Sequence, residues 1–193
     1  MNKLHLLLGV GLLFLGSACG AVEAESTFTF TSDQFKEKFN QVAKIENTDF
    51  IKSSKTTKDR VVFALDDTNF KKRLKALKAL NMTDGKSAAK THIELALNGQ
   101  GKIKAIDVVG DRSDIINLTL VINTMGVIVR MLDEKLSDDG VTNLISGFGL
   151  MRGDNDPSIG KPITNFDKGS AYFCNNQLSQ VSMTIGCIIT PKA

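Results

Sequence analysis

Ile115-Ile116-Asn117-Leu118-Thr119-Leu120-Val121-Ile122-Asn123-Thr124-Met125-Gly126-Val127-Ile128-Val129 is the stretch around which the chain is organised. It carries no charge; Asp114 stands before it and Arg130 after it. A helix drawn through it is apolar on most faces, the pattern of a helix enclosed on several sides. The charge-free run is shorter than the ~20 residues a bilayer crossing needs, so it reads as a core helix. It is expected to run from about Ser113 to Leu136, with Ser113 or Asp111 as the cap and Asp133, Glu134 and Lys135 restoring polarity. Gly126 costs about 1 kcal/mol there relative to Ala, which suggests a neighbour packed closely against it.

On its N-terminal side lies the clearest hairpin. Ile93, Leu95 and Leu97 alternate with polar positions, and Asn98-Gly99-Gln100-Gly101 offers two glycines able to take positive φ. Alternation resumes through Ile103, Ala105 and either Asp107 or Val108, and Gly110 and Asp111 end the strand. Further upstream, Phe28 and Phe30 alternate with threonines, as in a brief strand or extended arm. Thr31 and Gln34 fit a capping box, and Phe35, Phe39, Val42 and Ile45 form one face of a helix ending near Glu46. Residues 47–65 read as a second hairpin with a polar turn over 53–59 and a more continuously apolar second strand.

Asp66 and Asp67 offer caps for a further helix carrying Phe70, Leu74, Leu77 and Leu80 at helical spacing. Lys71, Lys72, Arg73, Lys75 and Lys78 make it the most basic patch of the chain, either a solvated face or a contact surface for an acidic partner or anionic lipid. Asn81 and Asp84-Gly85 stop it. A strand over 68–80 would turn Leu77 the wrong way.

Beyond the central stretch, residues 137–140 break the chain and a short helix is expected over 141–150, burying Leu144, Ile145 and Phe148. Residues 152–161 form a Gly-, Asp- and Pro-containing loop. Strands follow over 161–167, where Pro162 marks an edge, over 171–175, and over 180–190, with Val181, Met183, Ile185 and Cys187 facing one way. The order gives an α+β fold: antiparallel hairpins packed against a long buried central helix and smaller amphipathic helices. Residues 27–193 read as a single domain. Residues 27–110 and 111–193 each place a helix before a meander, so two subdomains stand as the alternative, although no aligned repeat joins them.

The first 24 residues read as an address. Lys3 precedes an apolar run from Leu4 to Leu15, and small residues follow, which is the layout of a secretory signal peptide. Leu15-Gly16-Ser17-Ala18-Cys19 resembles a bacterial lipobox, departing from it at Gly16, where the pattern prefers Leu. Cleavage is expected near 18, with lipidation of Cys19, or after Ala21 or Ala24. The resemblance associates Gly20 after the cysteine with the outer membrane.

Either cut removes Cys19 or consumes its thiol, leaving Cys174 and Cys187 as an even pair for an oxidising compartment. A bridge between them would contribute about 2–3 kcal/mol. There is no Cys-x-x-Cys redox motif.

The formal charge of +3 gives no field to gather nucleic acid. With no Trp and only Tyr172, the chain is a poor kit for stacking bases or sugars. His92 is the one histidine left after cleavage, and its place on the polar phase of a strand reads as solvated. One histidine without a cysteine cluster does not make the usual metal site, and neither a Gly-x-Ser-x-Gly elbow nor a phosphate-binding glycine loop is present. Asp154, Asn155 and Asp156 lack calcium-loop spacing, and Arg152-Gly153-Asp154 reads as chance.

The expectation is an exported bacterial protein, periplasmic or secreted, without catalytic activity or cofactor. It would bind another envelope or secreted protein, as an inhibitor or immunity-type protein does, through the basic helix or the 152–161 loop. The alternative is an outer-membrane lipoprotein in lipid binding or envelope assembly, touching the membrane only through Cys19. A hydrolase of unfamiliar type stands third.

Overall fold

The computed structural model describes residues 26–82, 88–111, 115–150, 162–165, 169–179 and 182–192. The signal segment with Cys19, the 152–161 loop, Ser113, Asp84-Gly85 and Val181 lie outside the described residues. In chain order the elements are α1 (Ser32–Ile45), β1 (Ile51–Thr56), β2 (Arg60–Leu65), α2 (Thr68–Ala79), β3 (His92–Leu97), β4 (Ile103–Asp111), α3 (Ile115–Leu132), α4 (Asp138–Gly147), β5 (Pro162–Asn165), β6 (Ser170–Ser179) and β7 (Ser182–Pro191). The seven strands form one antiparallel sheet in the order β1-β2-β3-β4-β7-β6-β5. After β4 the chain crosses to the far edge and walks back in. The strand containing Pro162 is that edge, the place in a sheet where proline is tolerated.

The expected α+β architecture is present, with the central helix on the sheet. α3 touches β4 and each of the other three helices. It is long and apolar enough to cross a membrane by length and composition alone. Here Leu120, Val121, Met125, Ile128 and Val129 pack into the core instead. Asn117 is fully buried but satisfied: it accepts from the Lys90 amide and donates to the Ala88 carbonyl, pinning the segment before β3.

α3 is shorter than the sequence suggested. It ends at Leu132, and Asp133 turns the chain by accepting from the Lys135 amide. Asp111 is the last residue of β4 and so does not cap α3. α4 begins earlier than expected, because the Ser137 hydroxyl accepts from the Gly140 amide and makes residues 138–140 its first turn. Its buried residues are Val141 and Ile145, with Phe148 buried just beyond it; Leu144 is only half-buried.

Close packing occurs at a different glycine from the one expected. A Cβ on Gly126 would meet only Ile145 Cδ1 at an ordinary 3.5 Å, whereas one on Gly110 would run into Val121 Cγ2 at 2.2 Å. Gly110 does not end β4; it lets α3 settle on it.

α1 begins with the expected capping box: the Thr31 hydroxyl accepts from the Gln34 amide, and the Gln34 side chain accepts from the Thr31 amide. Phe35, Phe39 and Ala43 form its buried face in steps of four, so Ile45 is left 80% exposed, against expectation. The Asn40 side chain holds both the amide and the carbonyl of Ile51 and fixes the start of β1. Residues 26–31 form no strand. Phe28 is an extended arm whose amide donates to the Ile103 carbonyl, and Phe28, Phe30, Phe35 and Phe63 form a chain of ring contacts.

The β1–β2 turn is shorter than expected, and β1 continues through Thr56. In the β3–β4 hairpin Gly101 takes φ 75°. A bulge between Ala96 and Leu97 in the pairing shifts the phase of β4, so Ile106 and Val108 face inward and Asp107 outward. Ala105 is not a core residue.

Candidate functional site

The basic segment is a helix, as Phe70 and Leu74 require: they pack against Ile116 and Leu120 of α3. Leu80, expected on that face, is 68% exposed, because α2 stops at Ala79 and Asn81 takes a left-handed φ of 57°. Asp67 occupies the cap position without a side-chain capping bond. Asp66 instead accepts from the Thr68 amide and hydroxyl, which holds its carboxyl below the ordinary value.

Lys71, Lys72, Lys75 and Lys78 are exposed. Lys71 reaches Asp67 at 2.7 Å, while Lys72, Lys75 and Lys78 make no ion pair among the described residues. Strand pairing adds two lysines from elsewhere in the chain. Lys52, at the bulge of β1, and Lys90, before β3, line one depression of about 460 Å³ with Lys71, Asp67 and His92. Lys90 also pairs with Asp111 at 2.6 Å. The basic surface therefore continues from α2 to the rim of the sheet. Sequence separation hides this, since Lys52 and Lys90 become neighbours only through the β1-β2-β3 order.

Arg73 belongs elsewhere. It is half-buried and lines a separate depression of about 300 Å³ among the helices, with Glu46, Asn123, Gly126 and Arg130. Asp49, within electrostatic reach of Arg73, is buried, and among the described residues the amides of Phe70 and Asn69 approach its carboxylate without reaching full hydrogen-bond geometry. Burial raises the Asp49 carboxyl above its ordinary value, against the pull of the Arg73 guanidinium and the amides of Phe70 and Asn69.

Among the described residues, α1 and α3 pack on one face of the sheet. On its other face, Arg60, His92, Glu94 and Asp107 converge. Glu94 stands directly opposite Asp107 across the β3–β4 pair. It accepts from Arg60 at 2.5 Å and lies 3.1 Å from His92 Nε2. Thus His92 is half-buried and partnered, not simply solvated as its phase suggested. Asp107 Oδ1 is buried without a hydrogen-bond partner among the described residues, and burial, then the Glu94 charge, raise its carboxyl, opposed by His92 and Arg60. His92 and Glu94 share a phase in the sequence; Asp107 joins them only because of the bulge. Glu94 is occupied by Arg60 and His92, so these contacts tie β2 to β3, while Asp107 faces Glu94 from β4.

Comparison with protein-family models, with curated proteins and with solved structures finds no match to this chain.

Cys174 and Cys187 are directly opposite on β6 and β7 and form a disulfide within the core face. Among the described residues no group of three or more His, Cys, Asp or Glu side chains is arranged to hold a metal ion. Asp154, Asn155 and Asp156, with the Arg152-Gly153-Asp154 tripeptide, fall outside the described residues.

Proposed function

We propose that this is an exported bacterial envelope protein that works by binding an acidic surface of another protein, as an inhibitor or immunity-type protein does, and not by catalysis. The observation that carries the reading is the gathering of Lys52, Lys71 and Lys90 around one depression that continues the exposed lysine flank of α2. An isolated basic helix is most simply a solvated face. Lys71 and Lys90 are paired with Asp67 and Asp111, but Lys52 and the exposed Lys72, Lys75 and Lys78 extend the basic surface over separate segments and offer several like charges to one partner, which favours fast capture of an acidic surface. The buried Cys174–Cys187 bridge fits an oxidising compartment, though it does so weakly.

The test compares affinity capture from the native envelope by the wild type and by a Lys71→Glu, Lys72→Glu, Lys75→Glu variant. The reading expects a defined acidic protein to be held by the wild type, released as salt rises, and lost by the variant. Retention of the same protein by both would reduce the lysine flank to a solvated face. The lipoprotein alternative rests on the Leu15–Cys19 resemblance, and Cys19→Ser would release such a protein to the soluble fraction.

A further inference from the structure

α3 is apolar apart from a few positions, and those divide into two sets. Asn117, Thr119 and Thr124 have local structural work: Asn117 holds the segment before β3, and the two threonine hydroxyls donate to Ile115 and Leu120 carbonyls one turn back. Asn123, Gly126 and Arg130 remain. They stand at i, i+3 and i+7, so they lie on one side of the helix. That side lines the 300 Å³ depression.

Gly126 forms part of it, and its packing would accept a side chain. A glycine there weakens the helix by about 1 kcal/mol without serving close packing, and it keeps the space open. Arg130 is held by Glu46 at 2.9 Å and Asp138 at 2.6 Å, so its guanidinium is already occupied. Arg73 enters from α2 and makes no ion pair or hydrogen bond among the described residues, and the Asn123 side chain makes no hydrogen bond among them. Asp49 interacts with Arg73 and with the amides of Asn69 and Phe70, and it is not part of the lining of the depression. Ile122, Val141 and Ile145 supply an apolar wall.

From this we infer a binding site for a small monocarboxylate with a short apolar tail. The carboxylate would take the fork of Arg73 and the amide of Asn123, with the tail over Gly126 against the apolar wall. The Arg73 guanidinium, in electrostatic reach of Asp49 but in no contact ion pair among the described residues, suits a single negative charge, because a planar carboxylate matches it in bidentate fashion. Glu46 on the same lining repels any anion, and a doubly charged phosphate about twice as strongly as a monocarboxylate. The size lies at the lower end of small-ligand pockets. This site is separate from the lysine flank, and neither reading depends on the other.

The test uses the full mature chain, titrated with hexanoate to about 10 mM, the weak end of specific binding, while backbone amide resonances are followed. Saturable shifts at Asn123, Gly126 and Thr142 are expected, and hexylamine should give none. Arg73→Gln should weaken hexanoate by about tenfold or more, the worth of a charge-assisted pair. Gly126→Val should block it by filling the space while leaving every charge in place. Absence of saturable shifts, shifts indifferent to Arg73→Gln, or equal shifts with hexylamine would overturn the site. A second arm compares hexanoate with N-acetyl-Leu-Ala carrying a free C-terminal carboxylate. Tighter, Arg73-dependent binding of the peptide would assign the carboxylate to a chain terminus, and tighter hexanoate to a free acid; both outcomes support the site.

Discussion

Ile188 and Ile189 are consecutive residues of β7, yet the first is 41% exposed and the second is sealed. The same contrast runs across the sheet. Inward, Phe63, Ile93, Val108, Cys187 and Cys174 stand in one row across five strands, all buried. Outward, the next row holds Val62, Glu94, Asp107 and Ile188. One face is a solid apolar floor for α1 and α3. The other is a mosaic of partial exposure, with an ionic cluster at its middle. Alternation with period two produces both, but only the inward face is decided by burial alone.

The sharpest way to break this comparison is to cut the same side chain on each face. Ile189→Ala should lower the unfolding free energy by about 2–5 kcal/mol, and Ile188→Ala by about 1 kcal/mol or less. Equal losses in chemical denaturation would mean that the outer face is covered too. Reducing the Cys174–Cys187 bridge, which joins two strands within the packed face, should cost about 2–3 kcal/mol, the loop-closure value for a loop of this length. It should be read as a lower denaturation midpoint with an equal or slightly steeper slope, since the reduced unfolded chain is less constrained.

The two glycines on either side of the β4–α3 junction give a smaller contrast of opposite sign. Gly110→Ala drives a methyl into Val121 and should destabilise by about 1–3 kcal/mol. Gly126→Ala meets only ordinary contact and should stabilise by up to about 1 kcal/mol. Thermal melts of both variants would check the pair.

Asp107 gives the smallest effect and a definite sign. Its folded carboxyl is raised above the unfolded value, so the folded state binds more protons between the two. Stability from this group is therefore greatest below about pH 4 and falls as pH rises through the folded value. Asp107→Asn should raise stability at neutral pH and flatten that fall. A variant less stable than wild type at pH 7 would mean that the charge is favourably held.

Much of this was legible because it is local. The Thr31–Gln34 box needs only a three-residue spacing, and the α3 run needs only its own composition. The Pro162 edge and the Cys174–Cys187 pair were also readable. What escaped depends on pairing across the chain. The bulge opposite Ala96 put Asp107 beside Glu94, and no window of β4 reveals its phase. Likewise, Lys52 and Lys90 join Lys71 only once β1, β2 and β3 are assembled. A glycine in the middle of an apolar helix looks like a packing notch; the structure puts the notch at Gly110 and gives Gly126 an open groove. Arg73 sits among lysines in the sequence but points to a different surface, because α2 is rotated to bury Phe70 and Leu74.

The proposed role requires that the protein leave the cytoplasm, and the mass of the intact protein isolated from its native cells tests that directly, with and without reductant. The account predicts a chain that starts at Cys19 with added lipid mass, or just after Ala21 or Ala24, and gains about two daltons on reduction as the Cys174–Cys187 bridge opens. A chain that starts at Met1 and has unchanged mass under reductant would contradict it.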